Sequence, residues 1–199
     1  GAAPQPVSAG FNQIVNNRSA QLIVWRYADN PSVYVFDFPG LAYQGRSFNR
    51  VTQFIEQQTT EPYPRVLTEQ EMAGRLAAAK RSESDFAFGH DLMVHELVQF
   101  YNFALRDKVP LNAEETAVRD FLVAQGMIRD WRGFWQAVEP NNVILSIPQT
   151  QEKSAGQPLI NATARYAIAL HEMAHGEYYT NAYYAQYCLR FWQESLTDA

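Results

Sequence analysis

From Ala162 to His175 the sequence contains neither proline nor glycine. An uninterrupted stretch of that length fixes one long helix, and a chain of 199 residues has to be built around it. Within it stands His171-Glu172-Met173-Ala174-His175. A helix turns about 100° per residue, so residues four apart differ by only about 40° in direction. His171 and His175 therefore project side by side, one turn apart. Glu172 leaves the helix beside them.

The other elements are short and mixed. Gln21–Tyr27 and Val33–Phe38 are β-branched and aromatic runs separated by Asp29-Asn30-Pro31-Ser32, which predicts a hairpin near the N-terminus. Apolar residues at helical spacing predict a helix over Ser47–Gln57. Thr68 with Glu71 forms a capping box that opens an Ala-rich helix to about Lys80. A helical pattern runs from Phe88 to Leu105. Asn112 with Glu115 opens a further helix, which Gly126 stops. Val143–Ile147 is a strand candidate, followed by a polar loop over Pro148–Pro158. A last helix falls within Tyr178–Ala199, with Thr180 or Asn181 as its N-cap. The expected fold class is α+β, helix-rich, in a single domain over residues 1–199. Residues 1–18 form an expected flexible N-terminal segment, whose small, uncharged opening reads as the start of a mature exported chain.

Composition removes several functions. The net charge is −5 and no block of Lys or Arg occurs, so no nucleic-acid partner is expected. No apolar run has the length of a membrane span. The single cysteine, Cys188, can form neither an internal disulfide nor a thiolate cage. Nucleophile-elbow, phosphate-loop and dinucleotide signatures are absent from the sequence.

What remains is the chemistry of HExxH. Two neutral imidazoles one turn apart can hold a single Zn²⁺, and the neighbouring carboxylate can take a proton from water held by the ion. A catalytic zinc commonly has a third protein ligand. Tyr187, Phe191, Glu194 and Asp198 share one face of the last predicted helix, and Glu194-Ser195-Leu196-Thr197-Asp198 has the form ExxxD. Glu177, close behind His175, is a rival third ligand if Gly176 ends the helix early. His95, among Leu92, Val94, Leu97 and Val98, reads as a packing histidine. His90, His95 and the tyrosines near the motif are candidate donors to a developing oxyanion.

On the HExxH helix followed by ExxxD, the region 168–198 resembles the gluzincin branch of the zincin metallopeptidases. The resemblance implies a zincin-like fold with the active-site helix near the C-terminus. It implies one Zn²⁺ per chain on His171, His175 and Glu194, with Glu172 as general base. It also implies that Asp198 holds a ligand imidazole in place, and that the substrate is a peptide or protein. The strand at Val143–Ile147 is expected to pair with an extended substrate. The alternative is a non-catalytic exported binding protein that keeps the helix pair as scaffold.

Overall fold

The computed structural model describes residues 3–154 and 156–196, and its architecture is α+β around a five-stranded mixed sheet. Strand β1 (Val7–Ala9) runs parallel to β2 (Ile23–Tyr27), and β2 is antiparallel to β3 (Val33–Phe38), the predicted hairpin. Next to β3 lies β7 (Val143–Pro148), parallel to it, and β4 (His90–Met93) closes that side of the sheet antiparallel to β7. A separate hairpin joins β5 (Ile128–Trp131) to β6 (Phe134–Ala137). The helices are α1 (Phe11–Val15), α2 (Leu41–Thr60), α3 (Glu69–Ala78), α4 (Val94–Asp107), α5 (Ala113–Ala124), α6 (Ala162–Thr180) and α7 (Ala182–Leu196). Among the described residues no helix is long and apolar enough to cross a membrane.

Helices cover both sheet faces, which is why β3 and β7 are buried at every position. Because strand side chains alternate, Tyr34, Phe36, Phe38, Leu92 and Ile144 enter one core with Phe48, Val51 and Phe54 of α2, Leu97 and Phe100 of α4, and Phe121 and Leu122 of α5. Val33, Val35, Val143, Leu145 and Ile147 enter the other, against Ile14 and Val15 of α1 and Ala169 and Met173 of α6. Each such side chain contributes about 1.5–3 kcal/mol on burial.

Two buried ion pairs pin the helices. Arg50 of α2 donates to both carboxylate oxygens of Glu115 on α5, at 2.8 and 2.6 Å. Arg165, fully buried on α6, donates to both oxygens of Asp37 on β3 and to the carbonyls of Ile14, Val15 and Pro148. Asp37 also accepts from Asn17 and from the Trp25 indole. This network fixes how far along the sheet α6 lies, and hence where the HExxH residues fall.

Both capping boxes form as predicted, at Thr68–Glu71 and at Asn112–Glu115. Gly126 has φ +70, the left-handed stop expected of it. Three expectations are corrected and one open alternative is closed. The helix predicted over Ser47–Gln57 starts earlier and ends later, as α2. The N-terminal segment is not a loose lead: Val7–Ala9 adds a strand to β2, and α1 packs on α6. Residues 90–93 are strand rather than helix. Helix α6 does not stop at Gly176 but runs to Thr180, because Gly176 lets the helix approach the sheet; a Cβ there would lie 3.3 Å from both Val33 methyls.

Candidate metal centre and active site

Asn161 caps α6, its side chain accepting from the Ala164 amide at 2.8 Å. Arg165, Ala169, Met173 and Gly176 then face the sheet. That phase sends His171 outwards and leaves His175 half-buried at the margin of the sheet. The two Nε2 atoms stand 3.1 Å apart, with ring centroids at 4.7 Å. Zinc–nitrogen bonds of about 2.0–2.1 Å in a tetrahedral arrangement put two ligand nitrogens about 3.3 Å apart. The pair thus already has close to the spacing that one ion needs.

Glu172 is buried, with 5% of its surface exposed. Its carboxylate lies against Gly89, just ahead of β4, and its Oε2 has no hydrogen-bond partner among the described residues. Burial, reinforced by the negative charge of Asp91, pushes its pKa up to about 8. Glu172 thus brings to this turn of α6 a buried carboxylate oxygen that no described residue satisfies.

Asp91 reaches this site from β4. It pairs in register with Leu145, which points to the α6 side, so Asp91 points there too. Its Oδ2 lies 3.7 Å from the Nδ1 of His175. The Tyr179 hydroxyl, one turn beyond His175 on α6, donates to Asp91, and the Tyr179 ring stacks on the His175 ring at 6.2 Å. Burial raises the Asp91 carboxyl, opposed by the adjacent His175; burial first and then Asp91 push the Tyr179 hydroxyl up to about 12.

The neighbouring His90 points to the opposite face. Its Nδ1 lies 2.6 Å from the Ser146 hydroxyl and its Nε2 lies 3.0 Å from Asn49 Oδ1. Burial drives its pKa down to about 3, so it is neutral. His90 is thus the satisfied core histidine, the part the sequence suggested for His95; His95 is half-exposed in the first turn of α4. Neither is in contact with the HExxH pair.

The predicted third ligands stand apart from it. Glu177 accepts from Asn30 at 3.1 Å and from Asn181 at 3.4 Å, tying α6 to the β2–β3 turn. Glu194 is exposed near the end of α7, and Asp198 lies outside the described residues. Among the described residues no group of three or more His, Cys, Asp or Glu is assembled to hold a metal. Cys188 is half-buried beside Tyr184, not fully interior. Asn181 does cap α7, its side chain accepting from the amides of Tyr183 and Tyr184. Sequence reasoning missed Asp91: His90-Asp91-Leu92-Met93 carries no polar–apolar alternation, and the alternating burial that marks it as a strand arises only from the fold.

In comparisons with known proteins, no family model, curated protein or solved structure matched this chain.

Proposed function

We propose that this protein is a zinc-dependent peptidase with a gluzincin-like site. The observation that carries the reading is the 3.1 Å approach of the His171 and His175 Nε2 atoms on the helix turn that also carries the buried Glu172. Bound between the imidazoles, the ion would supply Lewis acidity, lowering the pKa of a water to near neutrality and polarising a carbonyl. Glu172 takes the proton of the attacking water on its carboxylate and delivers it to the departing amine nitrogen. Packing against Gly89 holds that carboxylate in the interior rather than out in solvent. A third protein ligand is usual for a catalytic zinc; the sequence motif nominates Glu194, and among the described residues none is assembled with the two imidazoles.

The pairing with substrate expected of Val143–Ile147 is corrected. Val143–Ile147 lies inside the sheet with β3 on one side and β4 on the other, so its backbone has no free edge for a peptide. The end strand on this side is β4, which carries Asp91 into the site. An extended peptide adding to β4 would lie alongside the HExxH residues.

The test is peptide hydrolysis by zinc-loaded protein and by Glu172→Gln. The substitution keeps size and removes the base, so zinc stays bound while turnover falls by about 10²–10⁴-fold. Equal activity in the two proteins rules out Glu172 as base. Zinc binding with no hydrolysis in either, across a varied peptide library, favours the non-catalytic binding protein.

A further inference from the structure

Building on the zinc-peptidase reading, we infer that Asp91 is the positioning carboxylate of the site: it holds the His175 imidazole through Nδ1 while Nε2 is presented to the metal. The geometry divides the two ring nitrogens of His175 between two partners. Nε2 faces His171 at 3.1 Å and Nδ1 faces Asp91 Oδ2 at 3.7 Å. A ligating imidazole needs its remaining nitrogen protonated, and an acceptor on that side fixes both tautomer and ring orientation. The separation is longer than a hydrogen bond, and a side-chain adjustment of about 1 Å closes it.

Three further features fit a positioning role. Register with Leu145 fixes Asp91 on the α6 face of the sheet, and the strand rather than a loop carries it. Among the described residues its only ion pair is with His175, so no Lys or Arg competes for the carboxylate. Tyr179 donates to Asp91 and stacks on His175, so one helix carries both the ligand and the group that restrains its partner. Asp91 thereby takes the part that the family resemblance gave to Asp198.

Competitive chelator titration tests this on the full chain, comparing parent, Asp91→Ala, Asp91→Asn and His175→Ala, with circular dichroism confirming the fold. Losing an orienting carboxylate typically weakens metal binding about 10–100-fold, which is the expected loss in Asp91→Ala. Asp91→Asn keeps an oxygen that accepts from Nδ1–H, and retains most of the parent affinity. Parental affinity in Asp91→Ala overturns the inference but leaves the zinc reading standing. A loss in Asp91→Asn as deep as in Asp91→Ala also overturns it, showing that the carboxylate ligates the ion directly. A parent chain that binds no zinc overturns both. Asp91→Ser carries the same comparison should Asp91→Ala fail to fold.

Discussion

Gly89 leaves open the space that the Glu172 carboxylate occupies. A Cβ at position 89 would collide with Glu172 Oε1 and lie 2.7 Å from both its Cγ and its Cδ. Residue 89 directly precedes β4, whose pairing with β7 fixes its position, so the side chain of Glu172 is the part that must give.

Gly89→Ala is therefore expected to move the carboxylate of Glu172, the proposed base, while leaving both histidines in place. Displacing a catalytic group by about 1 Å can cost about 10²-fold in rate. Overpacking adds about 1–3 kcal/mol of destabilisation. Hydrolysis should fall by that factor while zinc stoichiometry holds, as measured by single-turnover assays alongside metal analysis. Full activity in the alanine variant would show that Glu172 works from another position.

Arg165→Ala should be among the most destabilising single changes in the chain. It removes five hydrogen bonds and leaves Asp37, completely buried, without its cation. Breaking a buried pair in this way costs about 3–5 kcal/mol. Urea denaturation of the metal-free protein measures it; a loss below 1 kcal/mol would contradict the assignment of this pair as the anchor of α6.

His90 makes stability depend on pH. Its pKa falls from 6.5 to about 3 on folding because the ring is desolvated between α2 and the sheet. A depressed pKa gives stability that is complete above the unfolded value and is lost as pH falls from about 6.5 towards 3. One such proton contributes a slope of up to about 1.4 kcal/mol per pH unit. His90→Gln, which can still bond to Ser146 or Asn49, should show a flatter stability profile between pH 6.5 and 5 than the parent. Identical slopes in the two proteins would mean that His90 is protonated in the native state.

Local signals in this chain were reliable where one residue decided the outcome. Thr68, Asn112, Gly126 and Asn181 each end or open a helix for reasons contained in their own side chain or φ angle. The β5–β6 hairpin went unread although its turn, Arg132-Gly133 with φ of 57° and 85°, is the two-residue type that favours tight hairpins. The helical pattern over Phe88–Leu105 predicts helix through residues 90–93. Pairing with β7, distant in sequence, overrides that pattern. The same misassignment hid Asp91, since a residue on a predicted helix has no reason to meet α6. His171, Glu172 and His175 were legible because their relation is local to one helix; the partners of His175 and Glu172 come from the sheet and needed the tertiary structure.

The central claim is that His171 and His175 together hold one zinc ion. Elemental analysis of protein equilibrated with zinc-containing buffer and then dialysed tests it most directly. The account predicts one zinc per chain in the parent, removed by chelator, and its loss in His171→Ala and in His175→Ala. A folded parent that emerges metal-free, or single-histidine variants that keep a full equivalent of zinc, would contradict it.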